Sequence, residues 1–277
     1  MTFLTAVTAA FAFLIAPTHA NAVPDIRVIR PADGVPAPRF VRVVYDALTD
    51  GIRGTDEILV DTRTGRYVER TVQGPISGRN GFDGTRTWSA DATGLAEVED
   101  HAEDRSSSLA WSYLIARPPA GPPHVERLST DHRRTVMRLR YRTLTRSFDV
   151  TLDRASGRVA AVAFHLGPYD SSIAFGGYAR RGRVVVPATI RATSIYGPST
   201  ETLRRVSTPE SVPDAAFAVP APPNDSSLNG VTTVPLERHR YGVAVIAQVD
   251  DGPPLRLQVD TGGSLSLTPN AARRAHL

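Results

Sequence analysis

The chain has 277 residues, 41% hydrophobic and 22% charged, which is ample for a sizeable core and argues against a mainly disordered protein. Thirty-two basic residues, all arginine, face 28 acidic ones for a formal charge of +4; no stretch concentrates them, so nucleic-acid binding has no electrostatic footing. The absence of cysteine excludes disulfides, thiolate metal sites, a cysteine nucleophile and a lipidated N-terminal cysteine.

Residues 3–16 are an uncharged apolar run, followed by Pro17 and the small-residue stretch Ala20-Asn21-Ala22. This reads as a signal peptide over 1–22 with cleavage after Ala22, and the run is too short to span a bilayer. No basic residue precedes it, so the amino terminus alone supplies the leading charge. No other stretch reaches the ~18 apolar residues of a membrane span, so an exported, periplasmic protein without an integral span is expected.

Residues 23–208 read as one antiparallel β domain. Glu57–Val60 leads through the turn Asp61-Thr62-Arg63-Thr64-Gly65 into the alternating stretch Arg66–Val72. Phe148–Leu152 repeats the pattern through Asp153–Gly157 into Arg158–Val162, and Thr87–Ala90 does so in shorter form through Asp91–Gly94. An aspartate that can bond the turn backbone and a glycine that accepts positive φ make these hairpin turns. A further strand-rich stretch covers 183–195. One helix is predicted at about 102–116: acidic residues open it, Arg117 and Pro118-Pro119 close it, and the i,i+4 pairs Leu109/Tyr113, Ala110/Leu114 and Trp111/Ile115 give it a broad apolar face. Such a helix either packs on the sheet or plugs the open side of a curved one.

Residues 209–230 carry five prolines and read as a semi-rigid linker, the stretch where proteolysis should cut first. The last unit, 231–277, opens with a run at Val243–Val249 expected as a buried strand. An Asp-Gly turn follows, then Leu255–Val259, with Leu255, Leu257 and Val259 facing inward and Asp260 at the strand end. A carboxylate where a strand breaks into a Gly-Gly loop is partly desolvated and held by backbone donors, the setting that tunes an acid for proton transfer. Asp260-Thr261-Gly262 differs from the hairpin turns, which keep three residues between Asp and Gly.

The stretch from Val234 to about Ala272 resembles the single-domain retropepsin-like aspartic peptidases of bacterial exported proteins. The likeness lies in Val234-Pro235-Leu236, Val243–Val249, Asp251-Gly252-Pro253-Pro254 and Leu255–Pro269, preceded by the linker-like Ala216–Pro223. It implies that Asp260 is the catalytic aspartate, that the Thr261 hydroxyl bonds across paired loops, and that Gly262 lets the loop pass close by. Gly263 departs from the commoner Ser, Thr or Ala. Residues 35–208 separately resemble the periplasmic lipoprotein carriers and receptors of the Lol pathway, through Phe82–Trp88, Asp153–Val159 and Arg183–Ile190. That resemblance implies a curved half-barrel with a helix across its opening. The expected fold class is therefore mainly β: a curved antiparallel half-barrel with one helix, plus the first part of a retropepsin-like all-β domain.

Two functions follow as expectations. The first is an exported aspartic endopeptidase, in which two carboxylates share a proton around one water and cleave a peptide substrate. One Asp-Thr-Gly supplies one carboxylate, so a homodimer would pair the aspartates. The residues after Asp260 are too few for both a flap hairpin and a closing strand, so the chain reads as a truncated product inactive on its own. The rival is that the 231–277 hairpin docks on the β domain and borrows a carboxylate there. The second function is a binding module whose half-barrel holds an acyl chain or apolar peptide. No cofactor or metal is expected: the seven histidines are scattered, and neither a Gly-x-Ser-x-Gly elbow nor a phosphate loop occurs.

Overall fold

A computed structural model describes residues 25–49, 51–73, 76–92, 94–99, 102–116, 123–165, 170–194, 197–221, 235–239, 242–248, 253–259 and 273. The expected signal peptide lies outside the described residues. Strand β1 is Arg30–Pro31, and the first meander comprises β2 (Phe40–Thr49), β3 (Ile52–Asp61), β4 (Tyr67–Gln73), β5 (Ile76–Phe82), β6 (Thr87–Ala90) and β7 (Ala96–Val98). Helix α1 (Ala102–Ile115) follows. The second meander is β8 (His124–Thr130), β9 (Arg134–Arg140), β10 (Phe148–Asp153), β11 (Arg158–Phe164) and β12 (Ser171–Gly176). The chain continues through β13 (Ala179–Arg181), β14 (Val184–Val186), β15 (Thr189–Ser194) and β16 (Gly197–Ser207).

Thirteen of these strands form one open antiparallel sheet in the order β7-β6-β5-β4-β3-β2-β16-β15-β12-β11-β10-β9-β8. The expected hairpin turns are present: Gly65, Gly94 and Gly157 take φ of 78°, 81° and 63°. The Gly65 and Gly157 amides donate to the carbonyls of Asp61 at 2.9 Å and Asp153 at 2.8 Å. The sheet is curled. Thirteen strands at ~4.8 Å spacing make a contour of roughly 58 Å, whereas a helix of α1's length is only about 21 Å long. Yet one core cluster joins residues from β2 (Val43, Tyr45) to β11 (Val162, Phe164) around Leu109, Ala110, Tyr113, Leu114 and Ile115 of α1. The helix thus fills the concave face of a half-barrel.

Polar contacts fix its depth. The Ser112 hydroxyl donates to the Gly65 carbonyl at 2.6 Å, and the Tyr67 hydroxyl donates to the Ser108 carbonyl at 3.3 Å. The Val28 amide donates to the Leu114 carbonyl near the helix end at 2.6 Å.

The stretch 183–195 is strand-rich as expected but not continuous: Pro187 divides it, and β14 leaves for a three-stranded sheet with β1 and β13 while β15 stays in the large sheet. Proline has no amide hydrogen to continue a ladder. Its carbonyl instead accepts the Tyr45 hydroxyl at 3.2 Å. The run at 243–249 is not the buried strand expected. Strands β17 (Glu237–His239), β18 (Gly242–Ala247) and β19 (Leu255–Val259) form a separate three-stranded sheet; among its described side chains Ala244 and Leu255 are the buried ones, and Ile246 is 49% exposed. The hairpin register is Val243↔Val259, Val245↔Leu257 and Ala247↔Leu255, so Val245, Leu257, Ala247 and Leu255 share one face.

Residues 209–221, the described part of the expected linker, are anchored to the domain. Phe217 is fully buried with Phe40 and Leu59 on the convex face, and Arg66 lies 4.8 Å above its ring. Arg66 also bonds Asp214 at 3.0 Å and the buried Asp61 at 3.2 Å.

Candidate functional site

A cavity of about 280 Å³ lies between α1 and the concave face, lined by Tyr67, Glu69, Trp111, Phe164, Ile190 and Glu201 among others. Strand alternation explains which residues reach it. Tyr45 pairs directly with Asp56, Ile58 with Glu69, and Glu69 with Asn80. On the other side of β2, Glu201 pairs with Ala47 and Ile190. Directly paired residues share a face, so Tyr45, Ile58, Asp56, Glu69, Asn80 and Glu201 all project to the side that carries the main core.

Three carboxyls therefore lie on the concave side without a basic partner: Glu69 and Glu201 line the cavity, and Asp56 is on the same face within reach of Glu69. Asp56 is 3% exposed; one of its oxygens accepts the Thr71 hydroxyl at 3.0 Å, while Oδ2 meets no N–H or hydroxyl donor. The Glu69 carboxyl is within hydrogen-bonding reach of Asp56 and of Asn80. A proton on Glu69 satisfies this geometry, with Glu69 donating and Asp56 accepting. Burial pushes Glu69 well above the usual carboxylate range, and the charges of Asp56 and Glu201 push it further. Burial, with the Asp56 charge added, raises Glu201 to about 8. Asp56 is raised as well, burial outweighing its bonds from Glu69 and Thr71. Among the described residues no ion pair reaches any of the three.

The arrangement can hold protons above neutral pH and can neutralise a cation, because unpartnered buried carboxyls favour whatever positive charge reaches them. Of the neighbouring hydroxyls, Thr71 donates to Asp56 and Tyr45 to the Pro187 carbonyl. A second titratable group lies on the convex face: Asp149 accepts a forked pair of bonds from Arg138 at 2.8 and 3.0 Å and faces His165 Nε2 at 2.9 Å. Burial pushes Asp149 up, but Arg138 and His165 together hold it below the usual range. It is a half-buried ion-pair network.

Asp260, Thr261 and Gly262 lie outside the described residues, as does the Asp-Gly turn before β19. What is described is the hairpin leading to them, ending at Val259. Sequence reading missed Asp56, Glu69 and Glu201 altogether. The only available signal was an acid in the inward phase of an alternating strand, and in 67–72 both phases carry apolar residues.

The fold and cavity define an open antiparallel half-barrel with a helix-covered, acid-floored pocket. No protein-family model matches the chain, and no curated protein matches it. Among solved structures the chain is similar to a LolA superfamily protein from Nitrosomonas europaea at 13% identity and a TM-score of 0.45, covering 65% of this chain and 89% of that one. The retropepsin-like resemblance rests on the residues from Val234 to Ala272 themselves.

Proposed function

We propose that this chain is an exported binding protein whose half-barrel takes a small ligand with an apolar body between α1 and the concave face. The supporting observation is the cavity under α1, walled by Tyr67, Trp111, Phe164, Ile173 and Ile190 together with Glu69, Asn80, Ser108, Ser171 and Glu201. That combination of an apolar wall and convergent polar groups is the usual make-up of a small-molecule site. Among the described residues no helix is long and apolar enough to cross a membrane. Fluorescence titration of the whole protein with straight-chain amphiphiles tests the reading. Saturable quenching that disappears in Trp111→Phe supports it, and the absence of saturable binding by any chain overturns it.

A second reading, peptide hydrolysis by the C-terminal unit, draws support from the hairpin β18–β19. Its two strands pair as the retropepsin-like resemblance implies, and β19 ends at the residue before Asp260. In this reading Asp260 is the catalytic aspartate, aided by Thr261 and Gly262, and a second subunit supplies the other carboxylate. Cleavage of an unfolded substrate at acidic pH, lost in Asp260→Asn, is the outcome that would establish it.

A further inference from the structure

We propose that the cavity under α1 selects ligands carrying a primary ammonium group, held at the floor by Glu69, Glu201 and Asn80 with Asp56 behind them. This rests on the binding reading above and adds the chemical class of the head group.

Three independent features point to a cationic donor. The first is the acceptor surplus. Asp56 Oδ2 and Asn80 Oδ1 are both buried and both lack a donor. Asp56 is 3% exposed, and beside the Thr71 hydroxyl only the Glu69 carboxyl comes within hydrogen-bonding reach of its side chain. A primary ammonium brings three N–H donors, whereas an alcohol brings one and a carboxylate none. The second feature is charge. The groups around the three carboxyls are Tyr45 on β2, Tyr67 and Thr71 on β4, Asn80 on β5, and Ser108 and Trp111 on α1, with the Glu57 charge also acting on Asp56. None of these is basic; the charges acting on Glu69 are those of Asp56 and Glu201, and Asp56 acts on Glu201. The third feature is the wall. Tyr67, Trp111 and Phe164 surround the approach, and aromatic faces attract a cation while covering its alkyl chain.

A metal ion fits less well. Among the described residues no three carboxylates or imidazoles converge as metal ligands must. An organic ammonium needs fewer anionic ligands, because one carboxylate together with a neutral acceptor such as the Asn80 carbonyl can take its N–H donors.

The Glu69 carboxyl lies within hydrogen-bonding reach of Asp56, a geometry that one shared proton satisfies in the empty cavity. An ammonium replaces that proton as the positive charge, so binding releases protons and strengthens as pH rises. Each proton displaced changes the affinity by about tenfold per pH unit in the range where the free carboxyl is protonated.

The test titrates the whole protein with octylammonium, octanol and octanoate by calorimetry, at about pH 6 and about pH 8.5, in two buffers of different ionisation heat. The expected result is octylammonium binding about tenfold tighter than octanol at the higher pH, with proton release, and octanoate weakest. Glu201→Gln and Glu69→Gln should each remove most of that preference, with circular dichroism and the thermal transition showing that each variant is folded. Equal binding of the three chains, or preference for octanoate, overturns the ammonium assignment and leaves the binding reading standing. No binding of any of them overturns both. Preference for octylammonium that survives in both variants also overturns it, because the charge would then be read elsewhere.

Discussion

Trp111 of α1 and Phe175 of β12 stack with ring centroids 6.5 Å apart and planes 13° from parallel. This contact ties the helix to the far half of the sheet, across the cavity from Tyr67 and Glu69. Aromatic pairs of this kind contribute ~0.5–1.5 kcal/mol beyond the area they bury. Trp111→Ala should therefore destabilise the domain by about 2 kcal/mol and abolish ligand binding, while Trp111→Phe keeps most of both. Chemical denaturation followed by far-ultraviolet circular dichroism, beside the binding titration, checks this; unchanged affinity in Trp111→Ala would show that the cavity is not the site.

The anchoring of 209–221 hangs on one side chain. Phe217 is wholly buried against Phe40 and Leu59, with Arg66 over its ring. Phe217→Ala should cost about 3 kcal/mol locally, and limited proteolysis should then cut between 209 and 221, a stretch the parent protein protects. Equal cleavage in both proteins at those bonds would refute the anchor.

Gly81 on β5 leaves room for no side chain. An added Cβ would stand 2.7 Å from a Trp88 ring carbon and 2.7 Å from the Tyr67 carbonyl oxygen. Trp88 is 1% exposed and the Tyr67 oxygen is backbone, so neither yields cheaply. Gly81→Ala should lower stability by about 1–3 kcal/mol and alter the near-ultraviolet signal of Trp88. A melting temperature equal to the parent's would contradict the close approach.

Stability should depend on pH with opposite signs from two sets of carboxyls. Glu69 and Glu201 hold their protons more tightly folded than unfolded, Glu201 up to about 8. Their contribution is full below the ordinary carboxyl range and is lost as pH rises through the raised values, about 8 for Glu201. Asp61 behaves oppositely: burial pushes it up, but the Arg63 amide, Arg66 and Arg39 outweigh burial and hold it low. Its contribution is present above the ordinary range and lost as pH falls through the depressed value. The melting temperature should peak on the mildly acidic side and decline towards alkaline pH, and Glu201→Gln should flatten the alkaline decline. A profile that rises from about pH 6 to about pH 9 would exclude a protonated floor.

What could be read in the sequence was local. The turn aspartates work as their spacing implies: Asp61 accepts the Arg63 amide at 3.1 Å and Asp153 accepts the Ser156 amide at 2.8 Å. The helix was legible because an apolar face recurs every third or fourth residue and prolines close it. The carboxyl floor was not, because it depends on the pairing of β2 with β16, strands separated by most of the domain. Only that pairing brings Glu201 beside Asp56. Val68 and Val72 also obscured the phase of β4, since Val68 packs on the convex cluster with Phe217. The hairpin β18–β19 was readable to within a residue or two, yet the burial of its first strand was not, because burial depends on what covers a sheet and alternation does not encode it.

The order of the sheet has a mechanical consequence. Its centre is the seam of the first and last long strands, and its two rims are β7 and β8, which are consecutive in the chain and joined through α1. The helix is thus tethered covalently to both rims, by 99–101 at one end and 116–123 at the other. It cannot swing out as a door hinged on one side. A guest larger than the resting cavity gains room only if the two rims spread together and draw the helix outward between them. Crosslinking the helix to either rim alone would then restrain the whole mouth.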